Sequence, residues 1–288
     1  MKTMVLSFAH PDDDVFTCAM TVAKYVNNGW TVYLLCATDG REGKSGRLGH
    51  LTPERLGELR QAEARTSSDI LGISSVEFLG YRDGSLDAVG PGDLEDVLFR
   101  RLVRLAPDIV ITFDPTGISN HPDHARICLA TTYAFQTYAR QLIETRNFVR
   151  EKGKASPRRY FVKKHAVALR EERFADLVEK AGEPKLYYVC APETVVRYAI
   201  STKIYPAEMF GKPWLGTPDR KVTTIIDGKR FTANKIKALH AHASQITDIE
   251  RFLSVPENPL LQREYFILRM NGITEVFMGR NDRYGDRL

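Results

Sequence analysis

The sequence predicts an α/β fold in which helices cover both faces of a doubly wound, mostly parallel sheet. Short apolar runs rich in β-forming residues recur along the first half of the chain, and amphipathic stretches with helical spacing separate them. Strands that are apolar along their whole length are typical of sheets buried on both faces. Because crossovers between parallel strands are right-handed, we expect a Rossmann-like arrangement with strand order 3-2-1-4.

The first half of the chain divides into alternating strands and helices. Strands are predicted over residues 3–9, 31–37, 76–79 and 108–113, and helices over residues 13–28, 53–71, 94–105 and 122–147. Thr52 and Pro53 are typical of a helix cap followed by a first helical residue, and Gly72 is typical of a helix end. In this topology the carboxyl ends of the first and fourth strands flank a crevice, where open α/β sheets bind ligands.

The second half of the chain carries weaker patterns. They predict strands over residues 186–191, 222–226 and 265–270 and a helix over residues 234–245. Because no linker divides the sequence, we expect one domain over residues 1–288, with a core of residues 1–148 that carries the site. Residues 149–288 are then an extension packed on this core. Within it, residues 150–164 are rich in Lys and Arg and contain Gly and Pro, which favours an exposed linker over an anion-binding loop.

Composition excludes several classes of protein. The chain has 288 residues, 43% of them hydrophobic and 27% charged, which is ordinary for a globular protein. A net charge of +5 is too small to indicate a nucleic-acid partner. No run approaches the ~18 apolar residues of a membrane span, and the start of the chain does not have the pattern of a signal peptide. The scattered cysteines have no CxxC spacing. We therefore expect a soluble, cytoplasmic protein.

Two motifs rich in His and Asp fall where the predicted topology forms its crevice. Residues 10–13 read His-Pro-Asp-Asp after the first strand, and residues 121–124 read His-Pro-Asp-His after the fourth. Either motif alone is also typical of a turn or a helix cap. Together, two imidazoles and a carboxylate are sufficient for a zinc-type catalytic ion with an open position for water.

The spacing within each motif predicts a division of roles. Successive helical side chains point about 100° apart, so Asp12 and Asp13 cannot both face one ion equally. One of them binds the ion and the other can act as general base. His121 and His124 divide in the same way into one ligand and one histidine that faces the substrate, and Asp123 can orient an imidazole.

The paired motifs resemble those of the PIG-L/LmbE-like zinc de-N-acetylases, which hydrolyse the acetamide of N-acetylglucosamine conjugates and some related amides. The resemblance also covers residues 38–43, 59–63, 71–72, 79–84 and 242–245. Asp14 departs from the family pattern, in which a glutamate is usual. Residues 140–220 match the family poorly, so the resemblance leaves the acceptor side of the pocket undefined.

Carried over by position, the resemblance implies a role for each site residue. The implied metal ligands are His10, Asp13 and His124, and Asp12 is the implied general base. His121 is the implied protonated partner of the developing oxyanion, held by Asp123. The implied substrate-binding residues are Arg60, Asp83 and His242, although Asp83 precedes Gly84 and is also typical of a turn.

The function implied is zinc-dependent removal of an acetyl group from an N-acetylglucosamine-type conjugate, which releases acetate and a free amine. Ferrous iron suits the same ligand set. The expected partner is a small-molecule amide, with neither nucleic acid nor membrane, and a homo-oligomer is an open alternative to a monomer. Two other functions stay open. One is an amidase that acts on a non-sugar amide or a thiol conjugate, and the other is a non-catalytic, Rossmann-like nucleotide-binding protein.

Overall fold

One continuous sheet organises the chain in the computed structural model, which describes residues 2–152, 182–276 and 285–288. The strands are β1 Thr3–Phe8, β2 Thr31–Thr38, β3 Ser75–Tyr81, β4 Ile109–Phe113, β5 Lys185–Val189, β6 Glu208–Met209, β7 Lys212–Pro213, β8 Thr224–Asp227, β9 Arg263–Asn271 and β10 Thr274–Glu275. The main sheet has the order β10-β9-β5-β4-β1-β2-β3, and β8 also pairs with β9. The predicted order 3-2-1-4 is therefore confirmed.

The strands β1 to β5 run parallel, and β8, β9 and β10 complete one edge in antiparallel pairing. The short strands β6 and β7 form a separate hairpin. In β1, at the centre, Val5 pairs with Tyr33 on one side and Val110 on the other. Every residue of β1 and of β4 is buried, as expected for strands covered on both faces. The fold is thus the α/β arrangement that the apolar runs predict, with a mixed edge.

The helices are α1 Asp13–Asn27, α2 Pro53–Leu71, α3 Asp93–Leu105, α4 Gly117–Asn120, α5 Pro122–Lys152, α6 Glu193–Ser201, α7 Thr232–His240 and α8 Ile246–Leu253. Thr52 caps α2 by accepting a hydrogen bond from the Arg55 backbone amide, as its sequence predicts. Gly72 ends the same helix with φ of 75°. Most of the basic stretch at residues 150–164 lies outside the described residues.

The helix predicted over residues 234–245 is wrong at its end, because α7 stops at His240. The buried carboxylate of Glu63 accepts hydrogen bonds from the Ser244 backbone amide at 2.8 Å and from the Ser244 hydroxyl at 2.6 Å. A charged acceptor on α2 competes with the helix for this backbone amide. His242 consequently lies in the turn after α7 rather than on the helix. The pattern also missed α6, α8 and the β6–β7 hairpin.

Helix α1 is broken at Cys18, where φ is −142°. The buried Glu264 of β9 accepts hydrogen bonds from the backbone amides of Met20 and Thr21 at 3.0 and 2.7 Å. On α7, Lys235 donates to the Phe16 carbonyl at 2.8 Å and to Glu264 at 3.1 Å. This buried ion pair therefore satisfies backbone groups that the break leaves without helical partners.

Within residues 2–152, 182–276 and 285–288, no helix has the length and apolar character needed to cross a bilayer.

Candidate metal centre and active site

The two predicted motifs meet at the carboxyl ends of β1 and β4. His10 Nδ1 lies 3.0 Å from His124 Nε2. The carboxylate of Asp13 joins them, with Oδ1 3.3 Å from His124 Nε2 and Oδ2 3.6 Å from His10 Nδ1. Asp13 Oδ2 also accepts hydrogen bonds from the backbone amides of Ala9 and His10. Residues more than a hundred positions apart thus direct their donor atoms at one point.

These spacings suit one small cation. Nitrogen and oxygen ligands at about 2.0–2.1 Å from a tetrahedral zinc ion lie about 3.3–3.4 Å from each other. The separations of 3.0, 3.3 and 3.6 Å in this cluster bracket that value. Two further combinations of donor atoms are close enough to hold an ion: His10 with His121 and His124, and His10 with Asp83 and Asp123. Asp83 and Asp123 do not line the cavity that opens beside the cluster, so the candidate ligand sets are the two that share His10 and His124 and differ in the third ligand.

In His10 and His124, the ring nitrogen that points away from the cluster, called the outer nitrogen, already has a hydrogen-bond acceptor. His10 Nε2 lies 3.0 Å from Asp83 Oδ1 and 3.3 Å from Asp123 Oδ2. His124 Nδ1 lies 3.1 Å from the Gly117 carbonyl. An acceptor behind each ring holds its orientation and tautomer and leaves the inner nitrogen free for a metal. Burial alone would lower the pKa of His10, but the carboxylates of Asp123, Asp13 and Asp83 together raise it well above its usual value.

Asp12 lies beside this cluster and, like Asp13 and His124, lines the cavity that opens there. Its backbone has φ of 109°, a left-handed conformation that non-glycine residues seldom adopt. Burial raises the pKa of its carboxyl to about 7, while the nearby Arg60 guanidinium and Asp13 carboxylate act in opposite directions. A carboxyl group in this range suits general acid–base chemistry near neutral pH.

His121 stacks on His124, with ring centroids 4.6 Å apart, and its other side faces Phe210 at 4.4 Å. Its Nδ1 accepts a hydrogen bond from the Asp123 backbone amide at 3.1 Å. The proton of the neutral ring therefore sits on Nε2, which can donate. Burial and the neighbouring His124 and His10 rings lower the pKa of His121 to about 4. The expectation of a protonated ring is thus opposed by its surroundings, whereas a neutral donor fits them.

The carboxylate of Asp123 does not hold His121 as expected. It contacts His10 and accepts hydrogen bonds from the backbone amides of Gly84 and Leu86 at 2.8 and 3.0 Å. The first turn of α5 directs this side chain into the protein, toward the loop after β3. Asp123 therefore orients His10 and connects the first turn of α5 with the loop after β3.

The loop between β4 and α5 is held by Asp114 and by a close backbone approach at Gly117. Asp114 accepts hydrogen bonds from the Thr116 amide and hydroxyl, the Ile118 amide and the Thr217 hydroxyl. Gly117 has φ of 66°, and a Cβ atom there would lie 2.8 Å from the Cβ of His124. The position of the His124 ring therefore depends on glycine at 117.

The predicted substrate-binding residues, Arg60, Asp83 and His242, are all buried and none of them lines the cavity at the metal centre. Arg60 donates to the carbonyls of Gly40 and Pro11, both at 2.8 Å, and lies 3.2 Å from the Asp12 carboxylate. These contacts give Arg60 the position of a support for Asp12 rather than of a group that grips substrate.

Asp83 accepts a hydrogen bond from the Glu42 backbone amide and contacts His10, as described above. His242 is 0% exposed, and neither of its ring nitrogens has a hydrogen-bond partner. Burial lowers its pKa to about 3. Both residues therefore lie behind the site, on the side away from the cavity.

A cavity of about 490 Å³ opens beside the cluster, and Asp12, Asp13, His121 and His124 form its polar end. The residues that form its other end come from α1, the β6–β7 hairpin, α8 and β9, among other elements, and none of them is a predicted site residue. The hairpin could have been predicted from Phe210-Gly211, because glycine is common at the tip of such turns. Nothing in the local pattern connects that turn with the histidines.

The α/β sheet places His and Asp donors at the carboxyl ends of two adjacent central strands, an arrangement that fits a metal-dependent hydrolase. Residues 5–135 match the PIG-L family, described as GlcNAc-PI de-N-acetylase.

Two curated relatives extend the match beyond the motifs. A 1D-myo-inositol 2-acetamido-2-deoxy-alpha-D-glucopyranoside deacetylase of Kineococcus radiotolerans is 32% identical, over 85% of this chain and 69% of the relative. A protein of the same name from Streptomyces scabiei is 31% identical, over 92% of this chain and 84% of the relative. The chain belongs to the PIG-L family of de-N-acetylases, and the resemblance of its motifs is confirmed.

Solved structures agree on the fold. The N,N'-diacetylchitobiose deacetylase of Pyrococcus horikoshii has a TM-score of 0.59 and 20% identity, with coverage of 98% of this chain and 88% of that one. GalB, the 4-carboxy-2-hydroxymuconate hydratase of Pseudomonas putida, has a TM-score of 0.60 and 18% identity, covering 96% of this chain and 100% of that one. Since a hydratase shares the fold, the reaction has to be argued from the site and the relatives.

Proposed function

We propose that this protein removes the acetyl group from an N-acetylglucosamine-type conjugate, using a zinc ion held by His10, Asp13 and His124. The observation that carries the proposal is the convergence of these donor atoms, each histidine having an acceptor on its outer nitrogen. The relatives named as deacetylases of a myo-inositol 2-acetamido-2-deoxy-glucopyranoside support the sugar part. The same comparisons favour this function over nucleotide binding.

The donor set suits zinc, since two imidazoles and one carboxylate leave a fourth position open. A bound zinc ion would polarise the acetyl carbonyl and lower the pKa of a water molecule toward ~7. Asp12 lies at the cavity end beside the cluster and takes the proton of the attacking water. It then returns this proton to the amine nitrogen as the C–N bond breaks, so that acetic acid and a neutral amine form, and the acid ionises to acetate as its remaining proton passes to solvent.

His121 has the position to stabilise the negative charge that develops on the carbonyl oxygen. Its Nδ1 is occupied as an acceptor, so Nε2 is the atom that donates to this oxygen. Arg60 supports Asp12 from behind through two backbone carbonyls and the carboxylate itself. Asp83 and Asp123 hold His10 in the orientation that presents Nδ1.

The test is acetate release from 1-O-(2-acetamido-2-deoxy-α-D-glucopyranosyl)-myo-inositol by protein reloaded with zinc after chelation. We expect release that depends on zinc and that falls about 10²–10⁴-fold in Asp12→Ala, the range for loss of a general base. Elemental analysis of both proteins, with about one zinc per chain, separates loss of the base from loss of the ion. Release undiminished in Asp12→Ala would remove Asp12 as the base. No release from any N-acetylglucosaminide would overturn the proposed function.

A further inference from the structure

The cavity beside the metal centre has walls that the deacetylation chemistry does not use. Beyond its polar end, apolar and aromatic side chains dominate the described lining, among them Phe16, Tyr205, Phe210, Trp214, Phe252 and Leu260. Pockets for polyols need side-chain hydrogen-bond donors and acceptors that face the ligand, because an unpaired buried hydroxyl is costly. This wall offers few of them.

Outside the metal end, the charged groups of the described lining are Glu208, Asp248, Arg251 and Glu264. Glu208 is exposed, and Arg251 pairs with Asp248 at 3.3 Å. Glu264 is occupied by Lys235 and by the backbone amides of α1. Engaged charges at the edge of an apolar wall favour a neutral, apolar ligand over a charged one.

Phe210 is a part of this wall that contacts one of the reacting groups. It sits at the tip of the β6–β7 hairpin, is 58% exposed, and its ring faces His121 at 4.4 Å. A large aromatic side chain left in solvent beside a functional histidine is typical of a binding surface. Phe210 is exposed because it lies at the tip of a paired hairpin, rather than in an irregular loop.

The hairpin is anchored to the loop that carries the histidines. The Asn120 side-chain amide donates to the carbonyls of Met209, Lys212 and Pro213 at 3.4, 3.4 and 3.2 Å. Trp214, just after the hairpin, donates from Nε1 to the Ile118 carbonyl at 2.5 Å. The aromatic wall and the metal centre therefore share a rigid connection, as expected for two parts of one substrate site.

We propose that the natural substrate carries an alkyl or aryl group on the amine side of the acetamide, as a sugar aglycone, and that this group occupies the cavity against Phe210 and Trp214. The assignment rests on the proposed deacetylation. An acetyl group needs room only for a methyl beside the carbonyl, so a cavity of about 490 Å³ is left for the amine side. The polar inositol of the relatives' substrate does not match this wall.

The first test compares octyl and methyl 2-acetamido-2-deoxy-α-D-glucopyranoside. Each methylene buried in an apolar pocket changes specificity measurably, so we expect kcat/KM for the octyl glycoside to be about 10²-fold higher. Equal values, or a preference for the inositol conjugate, would overturn the assignment while leaving the deacetylase function intact. Faster hydrolysis of methyl N-octanoylglucosaminide than of its N-acetyl counterpart would place the alkyl group on the acyl side and also overturn it.

The second test alters the wall. In Phe210→Ala we expect the octyl-to-methyl ratio of kcat/KM to fall about tenfold, and in Phe210→Leu to be largely kept. Leu215→Ala is the matched control, because Leu215 follows the same hairpin, is 75% exposed and does not line the cavity. This control should leave the ratio and both rates unchanged. A ratio that Phe210→Ala does not change would exclude Phe210 from the site.

The third test measures binding without turnover. The chain has two tryptophans, so the Trp30→Phe variant reports on Trp214 alone. Octyl α-D-glucosaminide, whose amine is already free, should change this fluorescence at a concentration at least tenfold lower than methyl α-D-glucosaminide. Binding of this kind without acetate release from any substrate would support the apolar cavity and overturn the deacetylation. The absence of any difference between the two amines would overturn the cavity assignment.

Discussion

The metal end and the apolar end of the cavity are built in opposite ways. The metal end comes from two motifs of four residues each, placed at the ends of adjacent parallel strands, and its polar atoms are hydrogen-bonded to one another. The apolar end is assembled from side chains between Phe16 and Tyr265, on elements that are scattered along the sequence. Reaction chemistry is thus concentrated in short motifs, whereas substrate fit is distributed over the fold.

The largest effect should follow from loss of a histidine that both candidate ligand sets share. We expect His124→Ala to lose the bound metal and, with it, detectable acetate release. His121→Ala should keep about one metal per chain and lower kcat about 10²–10³-fold, as for loss of an oxyanion donor. Elemental analysis beside acetate release checks both. Loss of metal in His121→Ala as complete as in His124→Ala would make His121, rather than Asp13, the third ligand.

The buried pair of Lys235 and Glu264 holds the broken helix α1, and its disruption should lower the stability of the whole protein. In Lys235→Met the Glu264 carboxylate loses its cation while it stays 1% exposed. We expect the free energy of unfolding in urea to fall by about 3–5 kcal/mol. The double variant Lys235→Met, Glu264→Gln removes both charges and should be less destabilised than the single one. A change below about 1 kcal/mol in Lys235→Met would contradict a role for the pair.

A smaller and more local effect is expected at Gly117. In Gly117→Ala the new Cβ must displace His124, so we expect zinc affinity to fall about 10–100-fold. Gly29→Ala is the matched control, since Gly29 has φ of 79° but nothing within 4 Å of an added Cβ. The Gly29→Ala variant has the strain of a positive φ but no clash of the added Cβ atom, so it should bind zinc normally. Competition with a chromophoric chelator measures both, and equal affinities would show that the close approach does not position the ring.

The smallest effect is expected from a substitution that changes the metal end of the cavity and leaves the apolar end unchanged. Asp83→Asn weakens one of the two carboxylate contacts to His10 Nε2, while Asp123 stays in place. We expect zinc affinity to fall about tenfold, at the lower end for such a supporting group. The octyl-to-methyl ratio should not change. A ratio that shifts together with the metal affinity would show that the two ends are coupled.

Sequence reasoning predicted the sheet order and the meeting of His10 with His124, because both depend on strand ends that topology brings together. It could not predict which way individual side chains turn. Arg60 has partners at Gly40, Pro11 and Asp12, and only the folded loops show that these partners occupy it. Asp123 faces His10 instead of His121 because the loop after β3 supplies two backbone amides. The apolar wall left no motif, since it requires only side chains of suitable size at distant positions.

Within the described part of the chain, the Asn120 side chain donates its hydrogen bonds to the β6–β7 hairpin to backbone carbonyls. Main-chain atoms are the same whatever residues occupy the tip, so this anchor tolerates sequence change there. The tip is therefore an exchangeable module: residues 209–212 could be replaced by a hairpin of equal length that keeps this anchor, and the replacement would change the ring that contacts His121. Substrate range in this enzyme can then diverge, in nature or by engineering, while the hydrolytic centre stays constant.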